Sequence, residues 1–140
     1  MTNINKDSNI AIIKEVISRL LPGSRVVLFG SRAVGNFNDK SDYDVLIITK
    51  YNFQITEKLK MKSQIRKELA NYLIPVDVFI ESEEEVSTIS LLTNHVVNEA
   101  VLKGVTIWIW KSLNMLNNGL KSTGRFWCRR NTLGIWITSL

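Results

Sequence analysis

The sequence predicts a single small domain of the α/β or α+β class, and three observations support this. Apolar residues at helical spacing alternate along the chain with short runs rich in β-branched residues. Hydrophobic residues make up 45% of the chain, with only 7 Gly and 2 Pro, so a packed core is expected. A length of 140 residues suits one domain, since single domains usually span about 100–200 residues.

The first half of the chain predicts a helix followed by two strands. Apolar residues from Ile10 to Leu21 recur at helical spacing, and Pro22-Gly23 ends the pattern. Arg25 to Phe29 then predicts a strand that leads into a turn at Gly30-Ser31. After a polar loop, the run from Asp42 to Ile48 predicts a second, largely buried strand with two aspartates at its start.

The second half of the body continues the alternation. Helical spacing from Ile55 to Tyr72 predicts a second helix, and Val76 to Ile80 predicts a third strand. Ser82 and Glu85 form a capping-box pattern that opens a third helix. Its apolar face continues through Val86, Ile89, Val96 and Ala100, and Gly104 ends it. Val105 to Ile109 predicts a fourth strand. The predicted order is therefore α, β, β, α, β, α, β.

The net charge of +5 is unevenly distributed along the chain. Every acidic residue precedes position 111, and the body of the chain contains as many basic as acidic residues. Because this body is neutral, we do not expect a nucleic-acid-binding protein. We divide the chain into a domain of residues 1–110 and a tail of residues 111–140, to which we assign no secondary structure. The tail is basic through Lys111, Lys121, Arg125, Arg129 and Arg130.

Several classes of protein are disfavoured. The longest apolar stretch near the end, Val105 to Trp110, is far shorter than the roughly 20 residues of a membrane helix. The polar N-terminus lacks the apolar segment of a secretory signal, so we expect a cytoplasmic protein. The lone Cys128 permits neither an internal disulfide nor a multi-cysteine zinc site, and we interpret it as structural.

Three aspartates are the candidate catalytic and metal-binding residues. Asp42 and Asp44 are two positions apart, so on a strand both carboxylates project from the same side. Mg²⁺ favours one or two carboxylates together with phosphate oxygens and water, and Asp77 could join the pair from a neighbouring strand. Two metal ions can stabilise the attacking and leaving oxygens of an in-line displacement. The implied reaction class is phosphoryl transfer.

The turn at Gly30-Ser31 is the candidate phosphate-binding element. A glycine lets the backbone approach a phosphate, and a helix that starts there directs free N–H groups towards it. Ser31 can add a hydroxyl donor. Arg32 could pair with a phosphate, although an arginine near a turn is more often a solvated surface residue.

Each feature also has an ordinary structural interpretation. Asp42 and Asp44 could be charges at an exposed strand end, but the nearby Gly30-Ser31 turn and Asp77 favour a site. The lone His95 has no second ligand and is interpreted as structural. The acidic residues from Glu81 to Glu85 suit the start of a helix. Trp108 and Trp110 are interpreted as packing residues.

The motif as a whole resembles a known family. Gly30-Ser31-Arg32-Ala33-Val34-Gly35, six further residues and then Asp42-Tyr43-Asp44-Val45 resemble the signature of the DNA polymerase β-like nucleotidyltransferase superfamily. The similarity is greatest to the minimal nucleotidyltransferases. Pro75-Val76-Asp77-Val78-Phe79 matches the segment that carries the third carboxylate of the family. The resemblance covers about residues 8–110, and Val34 stands where many relatives have an arginine.

The resemblance implies a fold, a reaction and a partner. The fold is a small mixed sheet flanked by helices. In this reaction ATP binds near Gly30, Ser31 and Arg32. Mg²⁺ is held by Asp42, Asp44 and Asp77, and AMP is transferred to a tyrosine hydroxyl. In toxin–antitoxin pairs of this type the acceptor is a HEPN-family toxin, which predicts a hetero-oligomeric antitoxin. Two alternatives remain: an antitoxin that neutralises its partner by binding alone, and a nucleotidyltransferase acting on a small molecule or RNA.

Overall fold

The computed structural model describes residues 7–92, 95–109, 127–130 and 136–139. The helices are α1 (Ser8–Leu20), α2 (Ser31–Val34), α3 (Ile55–Ala70), α4 (Glu83–Ile89) and α5 (Val96–Lys103). The strands are β1 (Arg25–Phe29), β2 (Tyr43–Thr49), β3 (Val76–Ser82), β4 (Val105–Ile109), β5 (Trp127–Arg130) and β6 (Trp136–Ser139).

The body is built on a four-stranded mixed sheet with the order β3-β2-β1-β4. Strand β1 is antiparallel to both β2 and β4, whereas β2 and β3 are parallel. The pairing register places Asp44 of β2 beside Phe29 of β1 and beside Asp77 of β3. The small mixed sheet flanked by helices is therefore confirmed, and it brings two of the predicted aspartates onto neighbouring strands.

Both faces of the sheet are covered, which explains why the second strand has a continuous apolar run. On one face, Val45 and Ile47 join a core formed with α1 and α3. On the other face, Leu46 and Ile48 pack with residues of α4 and α5. Side chains alternate between the two faces along a strand, so Asp44 lies on the same face as Leu46 and Ile48. It precedes the apolar residues of that face.

Most predicted elements agree with the structure. The predicted first and fourth strands coincide with β1 and β4, and the capping box forms through Ser82 and Glu85. Gly104 is the C-cap of α5. Trp108 packs against the core, as expected, whereas Trp110 lies outside the described residues.

The prediction of one helix from Ser82 to Ala100 is wrong, because two helices occupy this region. Helix α4 ends at Ile89, and α5 begins at Val96. His95 is the N-cap of α5, where its Nδ1 accepts a hydrogen bond of 3.2 Å from the Val97 N–H. Ser90 is the C-cap of α4, and serine favours caps over helix interiors, which provides a physical reason for the break. The structural interpretation of His95 is consistent with this cap.

Much of the tail lies outside the described residues. The structure describes β5 and β6, which form a separate antiparallel pair from Trp127 opposite Ser139 to Arg130 opposite Trp136. Neither strand was expected from the sequence. The division at residue 110 stays a prediction. None of the helices in the described ranges has the length and apolar character needed to cross a bilayer.

Candidate active site

The site is built around the junction between β1 and α2. Gly30 has φ 70° and ψ −157°, a conformation that is almost restricted to glycine. A Cβ atom at this position would collide with Oδ2 of Asp44. The missing side chain therefore lets the Asp44 carboxylate lie directly against the backbone turn, which places the predicted phosphate-binding turn and a predicted metal ligand side by side.

Asp44 is a partly buried carboxylate in an acidic environment. Burial raises its pKa above the usual value, and the negative charges of Asp77, Asp42 and Glu99 raise it further. Among the described residues, no side chain or backbone group donates a hydrogen bond or forms an ion pair with it. A partly desolvated carboxylate without a positive partner favours a bound cation, because a cation would offset the cost of its ionisation.

Asp42 lies immediately before β2 and is exposed. Its charge contributes to the raised pKa of Asp44, so the two carboxylates act on each other through space. Two carboxylates with open solvent beside them fit Mg²⁺, which typically uses one or two carboxylates and keeps several waters or phosphate oxygens. These residues could therefore hold the predicted metal.

Asp77 is in register with Asp44 but has a positively charged partner. Nη2 of Arg66 lies 2.6 Å from Oδ1 of Asp77, in an ion pair between two half-exposed side chains. Within the described parts of the chain, no three acidic, histidine or cysteine side chains stand close enough together to hold a metal ion. The expected convergence of Asp42, Asp44 and Asp77 into a ready-made metal cluster is therefore not found. The role of Asp77 as a metal ligand stays a prediction.

Arg32 is buried, with 8% of its surface exposed, which differs from the solvated position considered from the sequence. Its Nε donates a hydrogen bond of 2.9 Å to the Ser41 carbonyl oxygen. Its guanidinium lies 3.9 Å from the centre of the Tyr43 ring and 4.8 Å from that of Phe37. Arg32 thus connects α2 to the segment that carries Asp42. Its predicted contact with a phosphate is not tested by this arrangement.

A row of basic residues on α3 lies along the edge strand β3. The row consists of Lys58, Lys62 and Arg66, which are four positions apart and therefore share one helix face. The spacing of these three basic residues is visible in the sequence. The row was not predicted because the sequence does not show which strand lies beside this helix. Nζ of Lys58 lies 2.7 Å from Oε2 of Glu81 and 2.6 Å from Oε2 of Glu85. Nζ of Lys62 lies 5.6 Å from the centre of the Phe79 ring, and Arg66 contacts Asp77.

Comparison with known proteins agrees with this architecture. Residues 10–103 match the family model described as the nucleotidyltransferase domain. A protein from Methanocaldococcus jannaschii, named "Putative protein adenylyltransferase MJ0141", is 41% identical over 76 residues, which span 51% of this chain and 73% of that protein.

Two crystal structures share the fold. A mutant of the toxin-antitoxin complex MntA-HpeT aligns with a TM-score of 0.50 at 16% identity, over 71% of this chain and 72% of that one. A toxin-antitoxin complex with AMP-PNP aligns with a TM-score of 0.50 at 17% identity, over 73% of each chain. At such low identity these similarities concern the fold alone. The match to the family model includes the Gly30 turn and all three aspartates, and the chain belongs to the nucleotidyltransferase domain family.

Proposed function

We propose that this protein transfers AMP from ATP to a tyrosine hydroxyl of a partner toxin of the HEPN family, and that this transfer neutralises the toxin. Its membership of the nucleotidyltransferase domain family supports the reaction class. The name of the M. jannaschii relative supports a protein as the acceptor. The two structural neighbours, both toxin-antitoxin complexes and one with AMP-PNP, support a toxin partner and ATP.

The observation that carries the proposal is the contact between the Gly30 turn and the Asp44 carboxylate. The turn is partly exposed, and in our proposal its backbone binds the triphosphate, with the Ser31 hydroxyl and Arg32 as further donors. Asp44 lacks a positive partner among the described residues, which suits it to the metal ion that accompanies ATP. The triphosphate of the nucleotide would therefore bind to the Gly30 turn, and its cation would bind to the adjacent Asp44 carboxylate.

The residues of the chain have separate roles in the proposed reaction. Asp42 and Asp44 would hold Mg²⁺, which supplies positive charge to the phosphates, and Asp77 would complete the metal site. Asp77 would also orient the acceptor hydroxyl or accept its proton. The acceptor oxygen then forms a bond to the α-phosphorus, and the bond between this phosphorus and pyrophosphate breaks. The products are an AMP ester of the acceptor and pyrophosphate.

The decisive experiment is mass spectrometry of the partner toxin after incubation with the chain, ATP and Mg²⁺. We expect the toxin to gain the mass of AMP on a tyrosine, and we expect no gain with the Asp42→Asn, Asp44→Asn double variant. An unmodified toxin with full loss of toxicity would contradict the proposal.

That outcome would favour an antitoxin that acts by binding alone. Neutralisation by contact would persist in the Asp42→Asn, Asp44→Asn double variant and in the presence of a metal chelator. Neutralisation by AMP transfer would be lost in both cases.

A further inference from the structure

The ion pair between Arg66 and Asp77 joins the candidate site to helix α3. Asp77 is on the edge strand of the sheet and in register with Asp44 on the adjacent strand. Because β3 has no neighbour on its outer side in the four-stranded sheet, a side chain from α3 can reach Asp77 around that edge. Arg66 does so, with 2.6 Å between Nη2 and Oδ1.

The rest of the basic row on α3 does not contact the candidate aspartates. Lys58 is largely buried and forms ion pairs with Glu81, near the end of β3, and with Glu85 of α4. Lys62 lies over the ring of Phe79. Arg66 is therefore the member of this row that brings a positive charge to a predicted metal ligand, one helical turn beyond a lysine that does not.

We propose that Arg66 competes with the metal ion for Asp77 and thereby sets the metal concentration at which the site is completed. This inference rests on the proposed function, because it takes Asp77 as a ligand of the cation that accompanies ATP. Without the cation, the Arg66 guanidinium neutralises the Asp77 carboxylate. A cation bound to Asp77 would draw on the same negative charge as the guanidinium, so its binding would weaken the contact between Nη2 and Oδ1. Arg66 is a positioning residue that acts through Asp77.

The size of the expected effect follows from the exposure of the pair. Both side chains are about half exposed, at 52% for Arg66 and 47% for Asp77. Exposed ion pairs are weak, and their loss changes an equilibrium by about fivefold at most. Arg66 therefore tunes metal binding and does not prevent it.

The test is calorimetric titration of the full chain with Mn²⁺ in the presence of AMP-PNP. We expect the Arg66→Met variant, which keeps the length of the side chain and removes its charge, to bind the metal about two- to fivefold more tightly. Arg66→Gln serves as a second neutral variant. Lys62→Met is the matched control, since it removes a charge one turn away without touching Asp77.

The Asp77→Asn background separates competition from a general effect of charge. In this background, Arg66→Met should no longer change the affinity for Mn²⁺. An unchanged or weaker affinity in Arg66→Met, an equal effect of Lys62→Met, or an undiminished effect in Asp77→Asn would overturn the inference alone. A wild-type chain whose Mn²⁺ binding does not depend on Asp42 and Asp44 would overturn the proposed function as well.

Discussion

Gly30 and Asp44 are packed so closely that no side chain larger than hydrogen fits between them. Asp44 lies on β2, and Gly30 directly follows the antiparallel strand β1, whose last residue, Phe29, pairs with Asp44. This contact connects a backbone turn suited to phosphate with a carboxylate suited to its counter-ion.

Replacement of Gly30 by alanine is expected to disrupt the site. The new Cβ would displace the Asp44 carboxylate, and the backbone conformation at φ 70° would add strain of about 1–3 kcal/mol. Gly23→Ala is the matched control, because Gly23 also has a positive φ, of 84°, but has nothing within 4 Å of the added atom. We expect both variants to lose stability in urea denaturation and only Gly30→Ala to lose ATP binding in calorimetry. Equal ATP affinities would contradict this role of Gly30.

Replacement of Asp44 by asparagine is expected to stabilise the fold in the absence of metal. Burial and the neighbouring acids raise the pKa of Asp44 in the folded state, so its ionisation weakens folding at neutral pH. Asparagine removes this cost, so the free energy of unfolding should rise by about 0.5 kcal/mol after allowance for solvent screening. The gain should vanish below pH 3.8, the ordinary pKa of the group, because the native carboxyl is then protonated.

Urea denaturation across this pH range, in the presence of a metal chelator, measures the effect. Asp42→Asn is the control, since Asp42 is exposed and its replacement should change stability less. A destabilised Asp44→Asn variant at pH 7 would show that Asp44 has a stabilising partner and would contradict our description of the site.

Lys58 is expected to stabilise the contact between α3 and the end of the sheet. Its Nζ bonds to Glu81 and Glu85, so Lys58→Met should reduce the free energy of unfolding by about 1–3 kcal/mol at pH 7. Burial alone would lower the pKa of Lys58 and raise that of Glu85. The hydrogen bonds of Lys58 to Glu81 and Glu85 outweigh burial and raise its pKa, and the hydrogen bonds that Glu85 receives, from Lys58 and the Ser82 N–H among others, lower the pKa of Glu85.

The direction of both shifts defines the pH window of this stabilisation. The contribution of Glu85 is complete above its ordinary pKa of 4.5 and is lost as pH falls through its lower folded value. The contribution of Lys58 is complete below pH 10.5 and is lost as pH rises through its higher folded value. The difference in unfolding free energy between wild type and Lys58→Met should therefore shrink at both extremes. A difference that is constant from pH 3 to pH 11 would contradict the network.

Replacement of Asp77 by asparagine is expected to abolish AMP transfer and to leave partner binding largely intact. The carboxylate serves the chemistry, whereas a protein interface is spread over a much larger surface. Mass spectrometry of the toxin measures transfer, and co-elution in size-exclusion chromatography measures binding. Transfer at the wild-type rate would exclude Asp77 from the reaction, and loss of co-elution would assign it to the interface.

The regular elements of the body could be predicted from the sequence because their signals are local. Apolar residues at helical spacing define α1 and α3, and the β-rich runs define β1 and β4. The site residues were found by another local signal, the spacing between the Gly30-Ser31 turn and the pair Asp42 and Asp44. Helices α4 and α5 were merged because the apolar spacing continues through the polar residues that separate them.

The tertiary structure decided which of these residues meet and how their charges are balanced. The sequence alone determined that Gly30, Asp44 and Asp77 follow or begin strands, since periodicity depends only on neighbours along the chain. The pairing order β3-β2-β1 placed Asp44 between the other two strands. Arg32 is buried with a hydrogen bond to Ser41, 9 positions away, and Arg66 contacts Asp77, 11 positions away. Such contacts depend on the packing of α2 and α3 against the sheet, which no local pattern encodes.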